Sequence, residues 1–239
     1  MAMLIGVIIS VSSYWYRIEQ VIQNSNDTVT LYGWTYFKEE DTFGNGFGSN
    51  LEKSYESLGY KNIETTFIVS LVFISMGGLC CLVSIVLQCV NFKYNQDKID
   101  VASSVLFIFA TFCLLVSSAQ FLNINNSFNR DLPFCKQNST NSGVESMKFC
   151  QTFDGKVYGF KKTLWIWGAV FGWKMCSISF LLGFAATILI LKTSNFSDSL
   201  FKVLDENSSQ VFTMAISILF ILFCTCLMTP FYYKLPLEY

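Results

Sequence analysis

Apolar positions along this chain fall into long blocks separated by polar connections, and the blocks without charge are long enough to define elements. Residues 65–92 contain no Asp, Glu, Lys or Arg. At about 1.5 Å per residue, a helix over that block exceeds a hydrocarbon core of roughly 30 Å even when tilted. The pattern predicts a spanning helix over about 66–90, bounded by Glu64 and Lys93. A second uncharged block, 101–122, lies between Asp100 and the polar run NINNSFNR, and the short connection NFKYNQDKID makes the two an antiparallel hairpin. Further blocks predict helices over about 165–191 and 210–233. At the start, MAMLIGVIISVSSYWY gives 16 uncharged residues before Arg17, a helix of about 24 Å. It reads as a retained helix over 1–16 with Arg17 reaching to the interface; a cleaved signal peptide is the alternative, although no basic segment precedes the apolar run.

The polar connections alternate in length: 17–65 and 123–163 are long, 93–100 and 193–206 short. TVTLYGWTYFK in the first is a β-branched and aromatic run with partial alternation, followed by the turn-forming DTFGNGFGSN, which predicts a small β element in that loop. Cys135 and Cys150 are the two cysteines in polar sequence, both in the second long connection, and they read as a structural disulfide. Glycosylation sequons stand at Asn26, Asn125 and Asn138 in the long connections. Disulfides and glycans both belong to the oxidising side of a membrane, so the long loops are expected outside and the N-terminus in the cytosol. The basic density of the 93–100 loop leans the same way.

Composition sharpens this picture. The chain is 52% hydrophobic and 14% charged, too apolar for an ordinary soluble domain. Its net charge of −1 provides no footprint for nucleic acid. There is no histidine, which removes the commonest general base and transition-metal ligand. The remaining seven cysteines lie in apolar runs, where cysteine behaves as a small hydrophobe. No catalytic residue, metal site or cofactor is expected, and the chain reads as a non-enzyme.

LWIWGAVFGWKMCSISFLLG, residues 164–183, places Lys174 inside an apolar run. None of the uncharged blocks supplies an acidic partner for it, and an unpaired lysine in hydrocarbon is costly. Lys174 is therefore read as an interfacial residue, with Trp165, Trp167 and Trp173, and Trp15 at the first helix, forming an interface belt. Gly33 and Trp34 in the first loop read as a packing anchor between loop and helices. Gly77 and Gly78 suit a close helix contact.

The arrangement resembles the superfamily of claudins, peripheral myelin protein and Sur7-like tetraspan membrane proteins. Trp15 closes the first helix as in that family, Tyr32-Gly33-Trp34 lies where the family has Gly-Leu-Trp, and GAVFGW at 168–173 is similar to the run that opens the family's fourth helix. The chain departs from the family in having no cysteine before Cys80 and in carrying a further apolar block after the fourth. The expected fold is an all-α membrane protein: a claudin-like four-helix transmembrane bundle over 1–192, plus a short loop and a fifth C-terminal helix in 193–239. The resemblance implies a structural, adhesive or membrane-organising protein acting through its outer loops, with the auxiliary subunit of a channel or transporter as the alternative. Expected partners are the lipid bilayer and membrane proteins, including further copies of this chain. The plasma membrane is favoured over an endomembrane.

Overall fold

The computed structural model describes residues 1–22, 27–41, 51–94, 96–136, 148–158 and 163–193. In chain order the elements are α1 (Ala2–Ser12), β1 (Tyr16–Ile22), β2 (Thr28–Tyr32), β3 (Tyr36–Asp41), β4 (Leu51–Ser54), α2 (Tyr55–Leu58), α3 (Lys61–Tyr94), α4 (Asp97–Phe121), α5 (Ile124–Asp131), α6 (Pro133–Lys136), β5 (Gly155–Tyr158), β6 (Thr163–Ala169) and α7 (Phe171–Thr193). Helix dominates, and α3, α4 and α7 are each long and apolar enough to cross a membrane. The expected fifth helix at 210–233 lies outside the described residues.

The six strands form one antiparallel sheet in the order β4-β3-β2-β1-β6-β5. This is larger than the β element expected in the first loop, because β5, from the second long connection, and β6, from the start of the apolar block after it, join the sheet. Strand β6 occupies the start of the block read as the fourth helix, and α7 begins only at Phe171. The physical reason is that TLWIWGA is rich in β-branched and aromatic residues and pairs along its whole length with β1, from Thr163 opposite Ile22 to Ala169 opposite Tyr16. Trp165 and Trp167 stand on one face of this strand, Leu164 and Ile166 on the other. Both sets are apolar, so the strand shows no hydrophobic alternation.

Helix α1 also differs from expectation. It stops at Ser12, spanning 11 residues or about 17 Å, and the chain turns so that Tyr16 starts the sheet. Arg17, expected to reach to an interface, lies on β1 and pairs with Glu19 at 3.4 Å.

The chain forms two compact units. In the first, described over 1–7, 72–94, 96–115 and 178–193, helices approach closely where one of them carries glycine. A methyl group on Gly77 of α3 would stand 3.1 Å from the Ala110 carbonyl oxygen of α4, and one on Gly78 would stand 2.9 Å from Val7 of α1. A methyl on Gly183 of α7 would lie 2.7 Å from the Thr111 hydroxyl and 3.0 Å from the Met3 sulfur. The expected close contact at Gly77 and Gly78 is thus present. Polar bonds reinforce the α3–α4 pair: the Ser84 hydroxyl donates to the Ser103 carbonyl at 2.9 Å, and Gln88 Nε2 donates to Ser103 Oγ at 2.7 Å and Asp100 Oδ1 at 3.1 Å. Hydroxyls and amides need such partners where water is absent.

The second unit, Ile8–Leu71 and Val116–Ser177, contains the sheet and the helix segments under it. Its α3 segment is capped from a distance. The Asp131 carboxylate accepts from Asn62 Nδ2 at 2.5 Å and from the Ile63 backbone N–H at 2.7 Å, which satisfies an otherwise orphaned donor and places negative charge at the positive end of the helix.

Candidate functional site

In the second unit the inner face of the sheet is built from large aromatics. Residues opposite one another in an antiparallel sheet share a face, so Tyr16, Tyr32 and Phe37 project together across β1, β2 and β3. Trp15 and Tyr16 have no exposed surface, and Phe121, Phe128 and Phe67 beneath them are equally buried. The Trp15 ring meets Phe121 edge-on at 4.9 Å, Tyr16 meets Phe128 at 5.5 Å, and Tyr55 stacks on Phe67 at 5.6 Å. Full burial of each such ring contributes about 1.5–3 kcal/mol, with edge contacts adding to it.

The polar tips of these rings are satisfied by backbone carbonyls. Trp15 Nε1 donates to the Ser10 carbonyl at 2.9 Å, Trp34 Nε1 to Val11 at 2.7 Å, and the Tyr16 hydroxyl to Phe153 at 2.9 Å. The Tyr55 hydroxyl donates to the Gly33 carbonyl at 2.9 Å, while the Gly33 N–H donates to Tyr36 at 2.9 Å. Gly33 and Trp34, expected as a loop anchor, therefore stand in a tight turn whose tryptophan packs at 4.5 Å on Trp15.

Burial holds Tyr16, Tyr32 and Tyr55 in the neutral form, with phenol pKa values raised well above the ordinary 10 because the charged form would be desolvated. Tyr14 is pushed up to about 12, chiefly by desolvation and then by its hydrogen bond with Tyr36.

The tryptophans expected as an interface belt take inward positions. Trp15 is fully buried and Trp167 is 3% exposed, its Nε1 donating to the Thr152 carbonyl at 2.9 Å. Trp165 stacks on Phe149, and Trp173 Nε1 donates to the Ser118 carbonyl at 3.2 Å. These side chains hold sheet, connection and helix segments together within the unit, a role that apolar sequence alone does not distinguish from lipid contact. Lys174, by contrast, is exposed on the first turn of α7.

Cys135 and Cys150 form a disulfide that ties α6 to the turn before β5. The turn is held independently as well, since Asn129 Nδ2 donates to the Cys150 carbonyl at 2.7 Å. Asn125 lies half-buried on α5 with its Oδ1 enclosed, and the Ser127 hydroxyl of the same sequon is buried 2.6 Å from the Thr66 hydroxyl. Asn26 and Asn138 lie outside the described residues. Among the described residues no group of three or more His, Cys, Asp or Glu side chains could hold a metal ion.

The feature that sequence reading missed is the junction of β1 and β6 with α7. Beyond the paired strands, the Val170 N–H donates to the Trp15 carbonyl at 3.1 Å and the Gly172 N–H to the Tyr14 carbonyl at 3.0 Å. The Ser10 hydroxyl completes the junction by donating to the Gly172 carbonyl at 2.8 Å. A methyl on Gly172 would lie 2.5 Å from Trp15 Cδ1 and 2.6 Å from the Tyr14 carbonyl oxygen, so this backbone approach requires glycine. The only sequence signal was the pair of glycines in GAVFGW. Comparison with protein-family models and with curated proteins gives no match for this chain.

Proposed function

We propose that this chain is a multi-pass membrane protein whose long connections join into one folded interaction surface, serving a structural, adhesive or membrane-organising role. The observation that carries the membrane reading is the exposed side of α3. Ile68, Val72, Leu79, Leu82, Val86 and Val90 are all exposed and recur at spacings of three and four or their sum, forming one apolar stripe. The 22-residue rise from Ile68 to Val90 is about 33 Å, close to a hydrocarbon core, and exposed lysines flank the stripe at Lys61 and Lys93. Water would not tolerate such a stripe, whereas acyl chains would cover it. Gly77 and Gly78, the small residues that favour helix contact in lipid, are turned inward on the same helix.

The interactive reading rests on the sheet. Its four strands from the first long connection are joined by β5 from the second and by β6, which follows it, so the two connections act as a single surface. Its outward charges are largely neutralised among themselves: Arg17 pairs with Glu19 and Lys38 with Glu40 at 2.6 Å. Half-exposed Val29, Leu31, Leu164 and Ile166 lie among them. A face of this kind suits contact with another protein better than capture of a charged small molecule.

Expression of the tagged full chain with residues Arg17–Asp41 replaced by a flexible linker tests the role. The adhesive reading expects the intact chain to concentrate at cell contacts and the replacement to be dispersed. Stoichiometric recovery of a channel or transporter pore subunit with the intact chain would establish the auxiliary role in its place.

A further inference from the structure

The outward face of the sheet carries its charges in an ordered pattern. Strands β1 and β3 run in the same direction, each antiparallel to β2 between them, and in each a basic residue is followed two positions later by an acidic one. Residues two apart on a strand share a face. Arg17, Leu31 and Lys38 therefore form one row across the three strands, and Glu19, Val29 and Glu40 form the next, about 7 Å further along. One row is basic at both ends, the other acidic at both ends, and each has an apolar residue at its centre. The four charged side chains keep 22–42% of their surface exposed, and their pairs within the chain, Arg17 with Glu19 and Lys38 with Glu40, are surface pairs that leave each of them open to a further opposite charge.

We propose that this face binds the same face of a second copy of the chain, the two sheets stacked about a twofold axis that runs across the strands between the two rows. This rests on the reading of the sheet as an interaction surface and names its partner. Turning one copy about that axis exchanges the rows. Arg17 then faces Glu19 of the second copy, Lys38 faces Glu40, Leu31 faces Val29, and the same contacts recur in reverse. Stacked sheets lie about 10 Å apart, a gap that Arg, Lys and Glu side chains close from both sides while the apolar residues fill the centre. Each pair within a chain becomes one side of a ring of alternating charges. A partner surface of a single sign would be repelled by one of the two rows, so the pattern selects a surface that alternates as this face does. Six strands about 4.8 Å apart and about 20 Å long offer roughly 500 Å² per copy, below the roughly 800 Å² of a stable complex. The contact is therefore weak and reversible, and it gains strength where many copies face one another.

The test is fluorescence energy transfer between donor-tagged and acceptor-tagged preparations of the purified full chain in detergent micelles. Arg17→Glu on both tags is expected to weaken association about tenfold, because two like-charge contacts replace two favourable ones, and Glu19→Arg on both tags should do the same. Mixing donor-tagged Arg17→Glu with acceptor-tagged Glu19→Arg is expected to restore association to within about twofold of the parent, since every facing pair is then of opposite sign. Recovery on mixing also requires both variants to be folded, and a role confined to pairing within one chain would not produce it. Mixing Arg17→Glu with Glu40→Lys should give no recovery, because position 17 still faces Glu19 and the altered position 40 faces Lys38. No transfer between parent chains by about 0.3 mM, no effect of Arg17→Glu, failure of the first mixture to recover, or equal recovery in the second would overturn the proposal. The reading of the sheet as an interaction surface fails separately, if the chain with Arg17–Asp41 replaced still concentrates at cell contacts.

Discussion

Replacing Gly172 by alanine tests the junction on which the sheet and α7 depend. In a helix, glycine to alanine normally stabilises by up to about 1 kcal/mol. Here the added methyl would stand 2.5 Å from Trp15 Cδ1 and 2.6 Å from the Tyr14 carbonyl oxygen, where ordinary contact requires 3.4 Å or more. Neither obstacle can withdraw easily. The Trp15 ring is fully buried and held by its bond to Ser10, and the Tyr14 oxygen is backbone already accepting the Gly172 N–H. Overpacking costs about 1–3 kcal/mol, and loosening one or two of the three junction hydrogen bonds adds about 1 kcal/mol each. Gly172→Ala is therefore expected to lose about 2–4 kcal/mol. The assay is equilibrium unfolding of the detergent-solubilised chain, followed by tryptophan fluorescence and near-ultraviolet circular dichroism, with Lys156→Ala as a surface control expected within about 0.5 kcal/mol of the parent. The sign decides the matter: a variant as stable as the parent, or more stable, would show that the backbones do not approach as described.

Three other outcomes follow from the same geometry. Tyr16, Tyr32 and Tyr55 stay protonated when folded and release protons near pH 10 when unfolded, so stability is complete below that pH and falls above it. The slope is about 1.4 kcal/mol per pH unit for each, about 4 for the three together, and the share of phenolate absorbance at 295 nm that these three contribute should rise only with unfolding. Smooth titration of every tyrosine in the native state would refute their burial. Cys135→Ser opens a loop of 15-residue separation and should cost up to about 3 kcal/mol, less to the extent that Asn129 keeps Cys150 in place; a thiol-reactive mass tag should reach both native cysteines only after reduction. Asp131→Ala removes the acceptor for Asn62 and the Ile63 N–H and should cost about 1–3 kcal/mol, seen in the same unfolding assay, whereas a change below about 0.5 kcal/mol would remove its capping role.

The parts of the fold that depend on lack of charge were legible in the sequence. Helix α3 contains the block 65–92 and α4 all but the last residue of 101–122, although each starts further out in polar sequence, where Lys61 and Asp97 continue helical geometry without being apolar. The pairing of Cys135 with Cys150 was legible because they alone stood in polar sequence. Strand β6 was not, since a strand with apolar residues on both faces reads as a continuous run, the same signal as a buried helix. That ambiguity placed Trp165 and Trp167 on a helix, whereas pairing with β1, distant in sequence, puts them on the sheet. Trp15 carries a related ambiguity. Aromatic residues at the end of an apolar run suit both an interface and a core, and only the rings packed on Trp15 decide between them.

The central proposal is that α4 crosses a bilayer, so that the connections at its two ends meet opposite aqueous sides. In a background with exposed Cys89, and with Cys224 and Cys226, replaced by serine, Gln96→Cys and Lys156→Cys place one added reporter each at the hairpin and on β5. Labelling of intact cells with a membrane-impermeant maleimide, before and after permeabilisation, reads their sides directly. The account predicts that the reporter at 156 is labelled at once and the reporter at 96 only after permeabilisation. Equal labelling of both in intact cells would contradict it.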